Sequence, residues 1–92
     1  MNENQFQTNS LRNIAGVRKT ATVLRPTTSG TILAGKSSVS IANVHASASG
    51  TVNGVILKFN ETLNFDAGGI SNTLNAIKYD ATNSEFLIII IE

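Results

Sequence analysis

Apolar and polar residues alternate along most of this chain in short runs, and turn-forming residues separate the runs. Alternation with a period of two is typical of β-strands that bury one face. In one such run, Val39 and Ile41 fall on one face and Ser38 and Ser40 on the other. This pattern, or a run of β-branched residues, predicts strands at residues 20–24, 31–34, 38–44, 55–59, 62–67, 73–79 and 86–91.

The turns between these runs favour an antiparallel arrangement. Asn53-Gly54 lies between two valines, and both central positions of a type I′ hairpin turn require positive φ, which Asn and Gly adopt readily. Asn60 is predicted to be a second left-handed residue. About seven short strands with turns roughly every ten residues predict an all-β fold, a small antiparallel β-sandwich or barrel of the jelly-roll-like kind.

The last predicted strand does not alternate. It consists of six consecutive apolar residues, Phe86, Leu87, Ile88, Ile89, Ile90 and Ile91. Three of them point to each side, and a strand that is apolar on both faces needs cover on both. We therefore expect one set, either the even-numbered or the odd-numbered residues, to face the core. The other set is the candidate interface with a second copy of the chain or with a larger partner.

The size and composition of the chain also favour self-association. A domain of 92 residues buries only roughly 60 to 65% of the surface that its unfolded form exposes, so its core is small. The chain has no cysteine, which excludes disulfides, and its single histidine, His45, cannot form a zinc site alone. Oligomerisation is the remaining common source of stability. We expect a homo-oligomer, either a trimer or a pentamer.

Charge is distributed unevenly. Residues 1–25 carry four basic residues against one acid, whereas residues 26–92 carry three against five. We predict a polar N-terminal arm at residues 1–19 and a β-sandwich domain at residues 20–92. The segment from Leu11 to Lys19 is compatible with a short helix or an extended arm.

The basic residues of this arm have two interpretations. Arg12, Arg18 and Lys19 are candidate contacts with an acidic neighbour, and the alternative is a solvated tail. The net charge of the whole chain is only +1, which argues against a nucleic-acid partner.

No set of residues indicates an active site. His45 with Asp66 or Asp80 and a serine would supply the residue types of a catalytic triad, but no serine lies in a nucleophile-elbow pattern. His45 is therefore interpreted as a surface or interface residue. Asp66 and Asp80 lack the spacing of a calcium loop and are interpreted as turn residues that accept backbone hydrogen bonds. We expect no enzymatic activity, no cofactor and no metal.

The N-terminal twenty residues contain no apolar stretch of the length found in signal peptides. No window of 18 apolar residues exists either, so the sequence predicts no membrane-spanning segment. Synthesis in a bacterial cytoplasm is the expectation.

Three segments carry a family resemblance. Residues 50–57 contain a Gly-Thr-Val-x-Gly hairpin, residues 63–69 a Phe-Asp-Ala strand end, and residues 74–82 a Tyr-Asp-Ala-Thr turn before the apolar closing strand. In these segments, and over residues 30–91 as a whole, the chain resembles small β-rich virion proteins of phages that infect Bacteroidetes. Such proteins often have Gly before Glu61, where this chain has Asn60, and both residues permit positive φ.

The resemblance implies a virion protein without an enzymatic motif. The expected function is that of a non-enzymatic phage structural protein associated with the capsid, as a decoration, vertex or spike-base subunit. Its expected partners are other copies of itself and other virion proteins, such as the major capsid protein. The alternative is a glycan- or receptor-binding module of a phage spike or tail fibre.

Overall fold

The structure is a computed structural model, and it describes residues 19–69 and 71–92. The described residues form eight β-strands and no helix. The strands are β1 (Ala21–Leu24), β2 (Ser29–Ile32), β3 (Ser38–Asn43), β4 (Gly50–Val52), β5 (Val55–Leu57), β6 (Thr62–Asp66), β7 (Ile77–Asp80) and β8 (Phe86–Ile91).

The eight strands form two four-stranded antiparallel sheets. The first sheet has the order β1-β8-β3-β6, and the second has the order β2-β7-β4-β5. The pairs β1–β8, β2–β7, β3–β6 and β4–β5 are those of one long antiparallel ribbon. When this ribbon folds, the pairs β3–β8 and β4–β7 form the centre of the first and the second sheet. This strand order is that of a jelly roll. The predicted all-β sandwich is therefore confirmed, with eight strands instead of about seven.

The hydrophobic core lies between the two sheets. The first sheet contributes Val39, Ile41, Phe86, Ile88 and Ile90, and the second contributes Ile32, Val52, Leu57 and Ile77. Phe86 reaches across to the second sheet, where a Cβ atom at Gly50 would collide with the Phe86 ring and with the backbone oxygen of Asp80. A glycine at position 50 therefore lets the phenyl ring fill the space between the sheets.

A buried asparagine joins the two sheets at one end of the sandwich. Asn43, in β3, donates from Nδ2 to the backbone oxygens of Ala48 and of Leu57 in the second sheet, each at 2.9 Å. Its Oδ1 accepts from the backbone N–H of His45 at 2.9 Å and from Ser84 Oγ at 3.3 Å. The buried amide thus has hydrogen-bond partners at both of its polar atoms, and the single Ser84 hydroxyl proton is shared with the Ala48 oxygen at 3.1 Å.

Among the predicted strands, β2 and β7 differ most in extent from the sequence prediction. β2 begins at Ser29, whereas residues 31–34 were predicted, because Gly30 pairs with Tyr79 and the Tyr79 ring packs over it in place of a side chain. β7 is shorter than the predicted 73–79. Leu74, which the sequence placed in this strand, pairs with the connection before β3. Its N–H donates to the Lys36 oxygen at 2.8 Å, and its oxygen accepts from the Gly35 N–H at 3.0 Å.

The predicted turn conformations are confirmed. Asn53 and Gly54 have φ values of 50° and 81°, as a type I′ hairpin requires, and Asn60 has a φ of 69°. Asn53 Oδ1 also accepts from the backbone N–H of Lys78 at 2.9 Å, which fastens the hairpin to β7. Phe59 lies in the turn that includes Asn60, as predicted for residues 58–61, but its side chain is exposed and does not share the buried face of Leu57.

We predict that Asn43→Ala lowers the free energy of unfolding by about 3 kcal/mol, because the buried groups that it satisfies lose their partner. Urea unfolding followed by far-ultraviolet circular dichroism measures this change. Asn75→Ala is the matched control, since Asn75 is exposed and should change stability by less than about 0.5 kcal/mol. Equal effects of the two substitutions would contradict the proposed role of Asn43.

Candidate interaction surface

The structure separates the two faces of β8. Phe86, Ile88 and Ile90 face the core, with side chains that are 0%, 0% and 5% exposed. Leu87 and Ile91 are half-buried, and Ile89 is 39% exposed. The even-numbered residues are therefore the core set, and the candidate interface narrows to Leu87, Ile89 and Ile91.

The odd-numbered set lies on the outer face of the first sheet, away from the second sheet. β8 is an interior strand of that sheet, with β1 on one side and β3 on the other. Ile89 pairs with Val23 of β1, which is 60% exposed, and Ile91 pairs with Ala21. An apolar row therefore runs along the middle of a sheet face, where residues in contact with water are ordinarily polar.

A groove runs beside this row along β3, and we call it the β3 groove. Strand register places Ser38 between Asp66 and Ile91, Ser40 between Asn64 and Ile89, and Ala42 between Thr62 and Leu87. The three small residues of β3 form the floor, the residues of β8 form an apolar wall, and the residues of β6 form a polar wall. The cavity at its Ser38 and Ser40 end has a volume of about 320 Å³.

The polar wall is held by local hydrogen bonds. Ser40 Oγ donates across the floor to Asn64 Oδ1 at 2.8 Å. Asp66 Oδ1 accepts from Gly68 N at 2.9 Å, which is the turn contact predicted from the sequence. Asp66 is exposed and forms no ion pair with any residue of the two described ranges. It therefore places a negative charge at one end of the groove.

The predicted arm residues are only partly described. Lys19 is exposed and, with Ser38, Asp66 and Ile91, lines a cavity of about 360 Å³ that continues the β3 groove. Arg12 and Arg18, like most of the helix candidate that begins at Leu11, lie outside the described residues. The first described residue therefore lies at the acidic end of the groove.

Within the described residues, no hydrogen bond joins His45 to Asp66 or to Asp80, the residues considered for a triad. His45 follows β3 at the end opposite Ser38, whose partner in β6 is Asp66. Its Nδ1 accepts from the backbone N–H groups of Ser47 at 3.2 Å and Ala48 at 2.9 Å. This arrangement gives His45 a turn-stabilising contact in the loop after β3.

A second groove lies on the outer face of the second sheet and includes Asp80. It has a volume of about 390 Å³ and is lined by Ser49, Gly50, Thr51, Ile56, Lys58, Asp80 and Thr82. Hydrogen bonds from the Thr82 side chain and from its backbone N–H, the latter 2.9 Å long, hold the pKa of Asp80 below its ordinary value of 3.8. Asp80 is therefore ionised at neutral pH, beside hydroxyl groups and an ammonium group.

Within residues 19–69 and 71–92, no three His, Cys, Asp or Glu side chains are placed to share a metal ion. In the same ranges, no helix has the length and apolar character needed to cross a membrane.

The β3 groove and the Asn43 network were both missed in the sequence. Alternation predicts only that the small residues at positions 38, 40 and 42 share the face opposite Val39 and Ile41. Their position between β8 and β6 depends on pairings across up to about fifty residues of chain, which alternation alone does not specify. The one sequence signal of a groove is that these side chains are short.

We predict opposite effects of lysine on the two faces of β8. Ile90→Lys places a charge in the core and should lower the free energy of unfolding by more than about 4 kcal/mol, enough to prevent folding. Ile89→Lys should leave a folded β protein, because its side chain already reaches solvent. Near-ultraviolet circular dichroism and urea unfolding measure both effects. Unfolding of both variants, or of neither, would contradict this assignment of the faces.

Comparison with known proteins identifies no relative. No family model matches the chain, and no curated protein or solved structure matches it. A function must therefore be inferred from the strand order and from the apolar outer face of β8.

Proposed function

We propose that this chain is a non-enzymatic structural protein of a phage virion, associated with the capsid as a decoration, vertex or spike-base subunit, and that it assembles as a homo-oligomer. The observation that carries the proposal is the apolar row of Leu87, Ile89 and Ile91 on the outer face of the first sheet. A second copy or a neighbouring virion protein covers this row in the particle.

The position of the row favours association. Scattered apolar side chains on a surface are ordinary, but a contiguous row in the middle of a sheet is typical of a surface that is buried in an assembly. Val23 extends the row onto β1 and is itself 60% exposed. In a trimer or pentamer, the row contacts a different surface of the next copy, and repetition of this heterologous contact around the axis closes the ring.

The jelly-roll strand order supports the virion setting. Jelly rolls are frequent among viral capsid proteins, although lectins and cupins also use the fold. Fold alone does not establish function, so the support comes from the combination of this fold with an apolar outer row. The resemblance of residues 30–91 to phage virion proteins, which no matched relative supports, stays an expectation.

We predict that the purified protein is a trimer or pentamer and that Ile89→Lys reduces its mass towards that of one chain, 9.7 kDa. A lysine in the centre of the row would bury a charge at the interface. Light scattering behind a sizing column measures the mass. Ile56→Lys is the matched control, because Ile56 is 62% exposed on the outer face of the second sheet.

Two outcomes would contradict this mode of assembly. A wild-type protein that is a well-folded monomer at micromolar concentration would show that the row is not a self-association surface. A stable oligomer whose mass changes with Ile56→Lys and not with Ile89→Lys would place the interface on the other sheet.

A glycan- or receptor-binding module of a spike or tail fibre is the second candidate function. The groove on the second sheet favours it, since Asp80, Lys58 and the hydroxyl groups of Ser49, Thr51 and Thr82 are the kinds of donors and acceptors that bind sugar hydroxyls. Ile56 supplies an apolar side to the same groove. Its lining has no aromatic ring to stack on a sugar, and this makes glycan binding the second choice.

We predict that the purified oligomer binds empty capsids of the phage that encodes it and does not bind host surface polysaccharide. Co-sedimentation with each material measures the two interactions. Saturable binding to polysaccharide that Asp80→Asn and Thr51→Val weaken would establish the second function in place of the first. Absence of the protein from gradient-purified particles, measured by mass spectrometry, would contradict both virion placements.

A further inference from the structure

We propose that the β3 groove binds the N-terminal segment, residues 1–18, of a second copy of the chain. This inference rests on the proposed homo-oligomer and specifies a contact within it. The neighbouring chain inserts its segment between the apolar wall and the polar wall, so that each copy both gives a segment and receives one.

The shape of the groove fits an inserted segment. Ser38, Ser40 and Ala42 leave a depression between β8 and β6, because their side chains are shorter than those on either side. A second sheet laid flat on this face would contact the isoleucines and leave the depression unfilled, and unfilled space at an apolar contact is unfavourable. One chain segment would fill it.

The groove has an apolar wall and a polar wall, and the segment carries apolar and basic residues. Ile89 and Ile91 line one wall, whereas Asn64 and the exposed carboxylate of Asp66 line the other. Residues 1–18 contain apolar Leu11, Ile14 and Val17 interleaved with Arg12 and Arg18. Apolar side chains from the segment match the β8 wall, and an arginine matches Asp66 at the end of the groove.

The point at which the chain enters the sandwich favours a neighbouring copy over the same copy. The Thr20 oxygen accepts from the backbone N–H of Glu92 at 3.0 Å, and Lys19 lines the cavity that continues the groove. From there, β1 runs along the sheet from Ala21, opposite Ile91, to Leu24, opposite Ile88. A segment that lay in the groove of its own chain would therefore need a sharp reversal just before Thr20. Eighteen extended residues span at most roughly 60 Å, which is enough to reach an adjacent subunit.

The lack of cysteine allows a direct test by disulfide formation in the full chain. The double variant Leu11→Cys/Ser40→Cys places one thiol in the segment and one on the floor of the groove. Under mild oxidation we expect covalent dimers and higher species on a non-reducing gel, at a yield about tenfold above that of a control pair, because docking raises the local thiol concentration. The control is Leu11→Cys/Thr31→Cys, whose second cysteine is exposed on the outer face of the second sheet.

Asp66→Asn in the first variant tests the proposed charge contact. Asparagine keeps an oxygen that can accept from Gly68 N, so the turn is retained while the negative charge is removed. We expect the yield of covalent dimer to fall about threefold at low salt and the difference to shrink as salt is added. An unchanged yield would remove the arginine–Asp66 pairing from the proposal.

Two results would overturn the inference. A covalent monomer with raised mobility would show that the segment fills the groove of its own chain, and a yield equal to that of the control pair would show that it does not bind the groove. Light scattering on the reduced samples separates this failure from that of the proposed function. An oligomer without the disulfide contradicts only the segment contact, whereas a monomer contradicts the homo-oligomer itself.

Discussion

A sandwich of two sheets can cover only one face of each sheet, and this constraint determines how β8 is used. The strand is apolar on both faces and lies between β1 and β3. One of its faces must therefore contact the core, and the other must lie on the outside of the sheet. Its even-numbered residues form the centre of the core, with Phe86 packed over Gly50 of the opposite sheet. Its odd-numbered residues are left on the outer face, where Ile89 is 39% exposed and Leu87 and Ile91 are half-buried.

The jelly-roll order makes this placement a property of the whole fold. β8 pairs with β1 from the start of the sandwich and with β3 from its middle, so the last residues of the chain close the first sheet. The two sheets are joined at one end by the Asn43 network, which links β3 to Leu57 in the second sheet and to Ser84 before β8. A sandwich tied in this way holds the outer row in fixed register with β3 and β6, which a specific interface requires.

Local features of the fold could be predicted from the sequence, and non-local ones could not. Asn53-Gly54 and Asn60 determine their turns through their own backbone preferences, and Val39 and Ile41 reveal a buried face by simple alternation. The start of β2 was missed because Gly30 is stabilised in a strand by the Tyr79 ring, a contact between residues far apart in the chain. The choice between the two faces of β8 also required the tertiary structure, since both faces have the same composition.

The structural role of the small residues of β3 also depends on this non-local strand pairing. Ser38 and Ser40 satisfy alternation as polar residues, and nothing in the sequence distinguishes them from serines that merely face water. Placed between Ile89 or Ile91 and the side chains of β6, they convert a flat apolar face into a groove with one apolar and one polar wall. A flat apolar face accepts many partners, whereas a groove with two different walls favours one orientation of a single segment. Selectivity of assembly would then come from the short side chains of β3, and its strength from the isoleucines of β8.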